Sequence, residues 1–530
     1  MAIVIGLDLG NFNSYPSYIA DLTARRSRLG GRAVDLVPAS EQQGVPSVFF
    51  YKEGKPVLAG RAATTGAAKP ERNRIRYLKR SLGLPLEIDG KSVVIDGRTW
   101  TYDDAIREVA QSVLREAVRE LQQLTSERTN LVSLAYPATY SCAQRERLIQ
   151  IVQSATTEDG TPFQVVGTIM EPAAAALDYL AQAKRTKNTT VLVFDLGGGT
   201  FDLSLVTCYP RGKKRADEST AYYDIHVSDG LADVGGREFD DVIAGMLRVR
   251  LAEALNRDGL TMTNYLEEQI RLNAERVKKE LSDPPYHTVY EAYVPALDDT
   301  VSLEISREEF EKEPRVVTML SQMTEKAREL LGTKSLPKPE LIVLTGGSCR
   351  MPMIREALVK ALPDYAGSID AIREYKPEKA ISYGAARYGI PEPNNDAVIE
   401  GSTSVIKRLA YDIGINYLRG EGVSYINTFL TQGTELPCTT PWTGGWLPED
   451  STFLSYSLYE ANRADPVPEQ IERDYRFIKT VRIQFESVMP KETRTEARLI
   501  VDKDGLVTME ARKDENSPLF TVTAKLENLI

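Results

Sequence analysis

The sequence is poor in the side chains that build metal centres, disulfide frameworks and many hydrolase sites. Its 530 residues include only four cysteines, and no two of them form a Cys-x-x-Cys pair, which argues against a zinc site and a disulfide framework. Four scattered thiols suit a reducing compartment. The two histidines, His226 and His287, have no neighbouring nucleophile pattern, so a Ser-His-Asp hydrolase is disfavoured.

Long apolar runs and an excess of positive charge are also lacking. No run of about 18 apolar residues occurs, so no transmembrane helix is predicted. The apolar N-terminus lacks a basic leader and soon reaches Asp8, which predicts a core strand and not a signal peptide. The net charge of −10 favours neither nucleic acid nor an anionic membrane as a partner. We therefore expect a cytoplasmic protein, and its length predicts two or more domains.

The sequence does contain a glycine-rich turn between two apolar runs. Residues 191–206 read VLVFDLGGGTFDLSLV. An unbroken apolar run predicts a buried strand, and consecutive glycines let backbone N–H groups approach an anion. The segment therefore predicts two strands joined by a phosphate-binding hairpin at Gly197–Gly199. Asp195 and Asp202 flank the hairpin, in position for Mg²⁺, which takes few carboxylates together with water and phosphate oxygens. An ordinary glycine turn with two solvated acids is the alternative for this segment alone.

The pattern occurs a second time at the N-terminus. Residues 3–10 read IVIGLDLG and repeat the apolar strand, the aspartate, the leucine and the glycine. An internal repeat of this kind predicts two similar lobes that each place a hairpin in a shared cleft. A third glycine turn, at residues 346–348, follows an apolar strand and precedes a helix.

Two charged residues have roles that the local sequence leaves open. Lys79 belongs to a basic run from Arg72 to Arg80, for which we predict a helix, and it either faces solvent or reaches a terminal phosphate. Glu171 follows a predicted strand and begins a helix, where a carboxylate either interacts with the helix dipole or polarises a water molecule. Taken alone, the local sequence favours the solvent-facing role for Lys79 and the interaction with the helix dipole for Glu171.

The pattern changes after residue 391. Residues 392–404 are rich in turn formers and predict a linker. From residue 405 to residue 530, short runs of alternating apolar residues are separated by turns. This pattern predicts a separate β-sandwich.

Together these motifs resemble the heat shock protein 70 (DnaK-type) chaperone family. The resemblance rests on ordered motifs, which are GLDLG (6–10), KR (79–80), AYPA (135–138) with QR (144–145), EPAAAAL (171–177), FDLGGGTFD (194–202), GGREFD (235–240), ERVKKELS (275–282), GGSCRMP (346–352) and GAA (384–386). It implies an α/β fold, in which residues 1–391 form an actin-like, two-lobed ATPase domain with the duplicated ribonuclease H-like fold. Residues 405–530 would be the peptide-binding β-sandwich. ATP or ADP with Mg²⁺ is the implied cofactor, and unfolded or extended polypeptide is the implied partner.

The resemblance also assigns roles by position. Lys79, Glu171, Asp195 and Thr200 are the implied catalytic residues. Asp8 and Asp195 would hold Mg²⁺ through water, with Asp202 as a further metal candidate. The implied nucleotide-binding residues are Gly10, Asn11, Phe12, Gly197, Gly198, Gly199, Thr200, Gly235, Gly236, Glu275, Lys278, Lys279, Ser282, Gly346, Gly347, Ser348, Arg350 and Glu378. Lys79 would contact the γ-phosphate, and Arg350 would lie against the adenine.

The sequence departs from the family pattern in three places. Asn11 and Phe12 stand where the family usually has two threonines, which removes a hydroxyl near the phosphates and bears on the rate of hydrolysis. Gly167 and Met170 replace an arginine and an asparagine before Glu171, which argues against stimulation by a J-domain co-chaperone. A nucleotide exchange factor is still a candidate partner. The sequence stops at residue 530, without the family's helical lid over the peptide groove.

These features favour an atypical, lidless, ATP-dependent chaperone of this type. The alternative is a nucleotide-gated scaffold that binds ATP, hydrolyses it weakly and serves one dedicated partner protein, and Asn11, Phe12 and Gly167 favour that alternative. A small-molecule kinase of the same fold is a third hypothesis, disfavoured by the full motif set and the appended β domain.

Overall fold

The computed structural model shows two compact units. The first comprises Met1–Thr139, Arg147–Arg211 and Asp229–Thr403, and the second comprises Tyr140–Glu146, Gly212–Ser228 and Ser404–Ile530. The residues that the structure describes are 3–20, 31–38, 44–83, 92–140, 142–183, 187–214, 220–332, 336–366, 372–389, 405–406, 408–409, 411–419, 423–461, 466–502 and 505–526. The predicted linker, residues 392–404, lies outside them.

Strands and helices alternate along the first part of the chain. The strands up to residue 389 are β1 (Ile5–Asp8), β2 (Asn13–Ala20), β3 (Arg32–Asp35), β4 (Val45–Pro46), β5 (Phe49–Phe50), β6 (Leu58–Ala59), β7 (Arg74–Ile75), β8 (Ser92–Ile95), β9 (Arg98–Thr101), β10 (Leu131–Tyr136), β11 (Gln164–Met170), β12 (Thr189–Leu196), β13 (Phe201–Lys214), β14 (Thr220–Leu231), β15 (His287–Val294), β16 (Asp299–Ser306), β17 (Leu341–Thr345) and β18 (Ile372–Glu374). The α-helices are α1 (Tyr102–Thr125), α2 (Cys142–Ser154), α3 (Glu171–Gln182), α4 (Gly236–Arg257), α5 (Asn264–Ser282), α6 (Arg307–Lys312), α7 (Pro314–Gly332), α8 (Pro352–Ala361), α9 (Pro363–Ala366) and α10 (Ala380–Tyr388).

Two of the sheets repeat one another. The first contains the strand order β11-β10-β1-β2-β3, and the second contains β18-β17-β12-β13-β14. β1 is antiparallel to β2 and parallel to β10, just as β12 is antiparallel to β13 and parallel to β17. The repeated strand–Asp–Leu–Gly pattern thus corresponds to a repeated sheet, with Asp8 and Asp195 near equivalent strand ends. We call residues 3–183 the first half of this unit and residues 187–389 the second half.

Two alanine-rich helices cross between the halves. α3 follows β11 but packs on β12, whereas α10 follows β18 but packs on β1 and β2. The approach is close, because a Cβ added at Gly384 would lie 1.8 Å from the carbonyl oxygen of Ala174, and one at Gly6 would lie 2.2 Å from the backbone nitrogen of Ala386. Only glycine fits these two positions.

The crossing encloses a buried ion pair. Asp178 of α3 is 0% exposed and Arg387 of α10 is 1% exposed, and Nε of Arg387 donates to Oδ1 of Asp178 at 2.8 Å. Oδ2 of Asp178 accepts a hydrogen bond from the Tyr375 hydroxyl at 2.7 Å and from Nζ of Lys376 at 3.0 Å. One carboxylate of the first half is therefore held by three donors of the second half.

The predicted helix over Arg72–Arg80 is wrong. Short 3-10 helices at Glu71–Asn73 and Leu78–Gly83 flank β7, which pairs with β5. Tyr77 has a positive φ of 58°, a left-handed conformation that cannot continue an α-helix. Lys79 therefore lies in a 3-10 helix and not in an α-helix.

The C-terminal part of the chain forms two sheets around one apolar core. Its strands are β20 (Ile413–Arg419), β21 (Val423–Leu430), β22 (Cys438–Thr439), β23 (Thr443–Trp446), β24 (Ser451–Ala461), β25 (Tyr475–Met489), β26 (Arg494–Val501), β27 (Leu506–Arg512) and β28 (Phe520–Lys525), with a short helix α11 (Ile471–Asp474). They are preceded by β19 (Val405–Ile406), which pairs with β14. The sheet orders are β21-β20-β24-β25 and β22-β26-β27-β28, and β23 pairs with β26. Ile413 and Ile415 from one sheet and Leu499 and Met509 from the other belong to the same buried cluster. The alternation of buried residues along β26 and β27 is the period-two pattern of a sheet with one covered face.

In the described part of the chain, no helix is long and apolar enough to cross a bilayer.

Candidate active site

The predicted site residues converge on one cavity of about 300 Å³ in the first unit. Asp202 and Gly235 are the two members of the assignment that do not line it. Both lie directly behind its wall, because Asp202 pairs with Asp195 across the β12–β13 hairpin and Gly235 packs on Gly199. The cavity therefore gathers side chains from both halves of the unit.

Carboxylates surround a single ammonium group at the centre of the cavity. Nζ of Lys79 donates to Oε1 of Glu171, and the two side chains are only 4% and 9% exposed. Burial and then the charge of Glu171 raise the pKa of Asp8 and of Asp202 to about 7, and the same causes raise the pKa of Asp195 well above its ordinary value. Burial by itself would lower the pKa of Lys79. The negative charges of Glu171 and Asp8 outweigh burial, so the pKa of Lys79 is raised. The cluster thus carries more acids than its lysine can neutralise.

The acid cluster fits a hydrated divalent cation. Within the described residues, Oδ1 of Asp195 and Oδ2 of Asp202 are buried without a hydrogen-bond partner, and such acceptors are costly unless a ligand or water satisfies them. No three His, Cys, Asp or Glu side chains in the described ranges form a direct metal-ligand set. Magnesium usually keeps several waters and takes only one or two carboxylates. Asp8, Asp195 and Asp202 suit that mode of binding.

Raising the pH is expected to destabilise the protein when Mg²⁺ is absent. The pKa values of Asp8 and Asp202 are about 7 in the folded chain against an ordinary 3.8, so the folded state binds more protons between these values. The free energy of unfolding should therefore fall as the pH rises from about 4 to about 7. Thermal unfolding in a chelating buffer tests this, and Asp8→Asn should reduce the slope while the exposed Asp233→Asn should not. A melting temperature that rises over this interval contradicts the expectation.

The glycine hairpin is docked on the start of α4. The backbone N–H of Gly197 donates to the carbonyl of Thr200 at 3.1 Å, which closes the turn. Its carbonyl and that of Gly198 accept from the N–H groups of Gly236 and Arg237 at 2.9 and 3.0 Å, so the hairpin caps the helix. The hairpin and the positive end of a long helix thus meet at one side of the cavity, an arrangement that suits phosphate.

The other end of the cavity lies between α5 and the glycine turn after β17. Lys278 is buried and donates to the carbonyl of Gly236 at 3.0 Å and to Asp240 at 2.7 Å. Lys279 pairs with Glu275 at 2.7 Å on the same helix. The hydroxyl of Ser282 donates to the carbonyl of Lys278 at 2.9 Å.

Across the cavity, Arg350 is fixed by an acid from the next element. Nη1 of Arg350 lies 2.9 Å from Oε1 of Glu378, and Nε lies 3.8 Å from Oε1 of Glu374. The turn that carries Arg350 begins at Gly346, whose φ of 80° favours glycine. A guanidinium held in this way offers a flat face to a ring.

Sequence reasoning missed several residues of the cavity wall. Tyr15, Tyr77, Arg237 and Asp240 also line the cavity. Arg237 and Asp240 belong to the GGREFD motif, so their position in that motif was a signal that could have found them. Tyr77 gave no such signal, because its place depends on a left-handed backbone that the local sequence does not require.

Known proteins resemble this chain over most of its length. The model of the family described as Hsp70 protein matches residues 4–405. The chain is 26% identical over 411 residues to the chaperone protein dnaK1 of Synechocystis sp., covering 73% of this chain and 54% of the relative. It is also 26% identical over 413 residues to the chaperone protein dnaK of Trieres chinensis, covering 73% of this chain and 60% of the relative. The chain therefore spans little more than half the length of these curated relatives. The match over most of the chain shows that it belongs to the Hsp70 protein family.

Proposed function

We propose that the chain is an ATP-dependent molecular chaperone of the heat shock protein 70 type. In this proposal, residues 1–391 are an actin-like, two-lobed nucleotide-binding domain with a duplicated ribonuclease H-like fold. Residues 392–404 are a linker, and residues 405–530 are a β-sandwich that binds unfolded or extended polypeptide. The observation that carries the proposal is the convergence of Lys79, Glu171 and both Asp–Leu–Gly hairpins on one cavity.

The cavity offers what phosphoryl transfer to water needs, which is positioning and charge neutralisation more than covalent help. Lys79 would donate to the γ-phosphate, and the N–H groups of Gly197–Gly199 would hold phosphate oxygens. Glu171 and Thr200 would hold the attacking water. Asp8, Asp195 and Asp202 would hold Mg²⁺ through water, and the bound ion supplies positive charge at the phosphates.

The adenosine part of ATP would occupy the end between α5 and Arg350. The ordered guanidinium of Arg350, held by Glu378, suits stacking on the adenine. Gly346, Gly347 and Ser348 would approach the nucleotide from the same side. Glu275, Lys278, Lys279 and Ser282 would line the opposite side.

Peptide binding is proposed for the C-terminal sheets, whose strands suit pairing with an extended chain. A nucleotide exchange factor is a proposed partner, and the cytoplasm is the proposed location. Stimulation by a J-domain protein is not expected, because Gly167 and Met170 stand where the family uses an arginine and an asparagine. The nucleotide-gated scaffold is the second candidate function, and it is favoured by Asn11 and Phe12, which stand beside the phosphate hairpin without a hydroxyl.

ATP is expected to weaken peptide binding relative to ADP by about 5–150-fold, the usual range of allosteric coupling. The measurement is fluorescence anisotropy of a labelled, extended apolar peptide with ATP, with ADP and without nucleotide. A matched peptide with alternating prolines, which cannot pair along a strand, is the control and should bind poorly in every state. Equal affinity of the extended peptide in all three states would favour the scaffold.

A further inference from the structure

Asn11 fills the gap between the two hairpins. It lies in the turn between β1 and β2 and lines the cavity. A Cβ added at Gly199 would lie 2.4 Å from Nδ2 of Asn11 and 3.0 Å from its Cγ. The carboxamide of the first hairpin thus rests directly on the glycine hairpin of the second half.

One atom of this carboxamide lacks a partner. Oδ1 of Asn11 is buried, and no described residue hydrogen-bonds to it. The neighbouring buried atoms without a partner, Oδ1 of Asp195 and Oδ2 of Asp202, are also acceptors. Buried acceptors of this kind call for a donor such as water. Asn11 and Asp195 both line the cavity, and Asp202 lies directly behind its wall, so Oδ1 of Asn11 and Oδ1 of Asp195 are the acceptors that a water donor in the cavity would satisfy.

We propose that Asn11 orients the water that attacks the γ-phosphate, an inference that rests on the proposed ATP hydrolysis. Its Oδ1 accepts a hydrogen bond from the water, and its Nδ2 donates to a γ-phosphate oxygen. The water oxygen forms a bond to phosphorus, and the bond from phosphorus to the β–γ bridging oxygen breaks. ADP leaves with that electron pair, and the water's proton passes to Glu171. A carboxamide can do this because it joins an acceptor and a donor in one plane, as the glutamine that orients the attacking water in GTPases does.

The test is single-turnover ATP hydrolysis by Asn11→Ala, Asn11→Thr and the wild type, with the dissociation constant of ATP measured in parallel. Asn11→Ala should hydrolyse about 10²–10³-fold more slowly, the usual cost of removing one preorganised hydrogen-bonding group, while binding ATP almost as tightly. Asn11→Thr should keep most of the rate, since its hydroxyl also donates and accepts. The exposed Asn256→Ala is the matched control and should match the wild type.

Three results would overturn the inference, and each identifies a different failure. An unchanged rate in Asn11→Ala removes Asn11 from the chemistry and leaves the proposed function intact. A wild type that binds ATP without hydrolysing it, together with an active Asn11→Thr, shows that Asn11 blocks the reaction. A wild type that does not bind ATP overturns the proposed function itself.

Separate contacts around Phe12 carry a second inference. A neighbouring cleft of about 800 Å³ shares part of its wall with the nucleotide cavity. The shared residues include Phe12 and Tyr77 from the first half and Arg237 from the second. This wall separates the nucleotide cavity from the neighbouring cleft.

Aromatic and cationic side chains join the two halves at this wall. The ring centroids of Phe12 and Tyr77 are 6.2 Å apart. Nζ of Lys279 lies 5.8 Å from the centroid of Phe12, and Cζ of Arg237 lies 5.2 Å from that of Tyr77. Both distances suit cation–π attraction. Each of these two rings therefore has a cation of the second half beside it, and Phe12 also has Arg76 of the first half, with Cζ 6.0 Å from its centroid.

These contacts compensate for two locally unfavourable features, the backbone conformation of Tyr77 and the charge of Arg237. Tyr77 has a φ of 58°, a conformation that persists in a non-glycine residue only when its surroundings enforce it. Arg237 lies in the first turn of α4, where the helix dipole disfavours a positive charge. The Tyr77 ring gives that charge a favourable partner.

We infer that Phe12 and Tyr77 form a gate that slows nucleotide release, because opening the cavity here must separate both rings from their cations. Phe12→Leu keeps an apolar side chain but removes the π face, and it should release a fluorescent ADP analogue about 2–5-fold faster, as expected for loss of a cation–π contact with an exposed lysine. Phe12→Trp, which has a stronger π face, should release it no faster than the wild type. The exposed Phe477→Leu is the control. Equal release from Phe12→Leu and the wild type overturns the gate, whereas failure of the wild type to bind the analogue overturns the proposed function.

Discussion

Replacing Lys79 with alanine is expected to slow ATP hydrolysis by about 10²–10³-fold, the usual cost of removing one preorganised electrostatic group. Lys79 is the ammonium group buried among Glu171, Asp8 and Asp202, and all three carboxylates raise its pKa. Its positive charge is therefore secure at neutral pH and available for the γ-phosphate. The measurement is single-turnover hydrolysis at saturating ATP, with binding checked separately.

Two further variants, one at Lys79 and one at its partner Glu171, separate the effect of charge from that of geometry. Lys79→Arg keeps the charge but presents a planar fork in place of a compact ammonium, so it should recover only part of the rate. Glu171→Gln keeps the shape of the partner and removes its charge, and it should also bind ATP yet hydrolyse it slowly. The exposed Lys52→Ala is the control and should match the wild type. Full activity in Lys79→Ala would contradict the catalytic assignment.

Replacing Asp178 with alanine is expected to lower the free energy of unfolding by about 3–5 kcal/mol, the usual cost of breaking a buried ion pair. The change removes a buried acceptor of Arg387, which is 1% exposed at the crossing of α3 and α10, and it also removes the acceptor of Tyr375 and Lys376. Urea denaturation of the full chain measures the loss.

The matched control is Asp103→Ala, which breaks a more exposed pair with Arg147. Pairs near the surface contribute about 0–1 kcal/mol, so this variant should lose little. The double variant Asp178→Leu/Arg387→Met should recover much of the stability, since apolar replacements of buried pairs are often neutral. A loss in Asp178→Ala no larger than in the control would contradict the role of the pair.

The sequence allowed prediction of the features that depend on short segments. The strand–Asp–Leu–Gly repeat predicted two equivalent hairpins, and the structure has them in two sheets of the same order. Glycine turns and flanking acids are readable because their chemistry lies within a few residues. The nucleotide-binding and catalytic roles themselves came from the family resemblance, and they stay predictions until hydrolysis is measured.

The features that escaped prediction depend on distant partners or on special backbone conformations. Lys79 and Glu171 are 92 positions apart, so local sequence alone favoured a structural role for each. Asp178 and Arg387 are 209 positions apart, and nothing within an alanine-rich helix marks a buried acid. The basic run around Lys79 was predicted as a helix because charge gives no sign of the left-handed Tyr77. Asn11 was assigned to the nucleotide site and interpreted as the loss of a hydroxyl, but the contact of its carboxamide with Gly199 was not predicted.

The most direct test of the account is single-turnover hydrolysis of ATP by the purified wild-type chain with Mg²⁺, with nucleotide binding measured in parallel. We predict that the chain binds ATP and converts it to ADP and phosphate, and that Lys79→Ala and Glu171→Gln bind ATP but hydrolyse it slowly. Tight binding without turnover in the wild type would contradict the ATPase assignment and favour the nucleotide-gated scaffold.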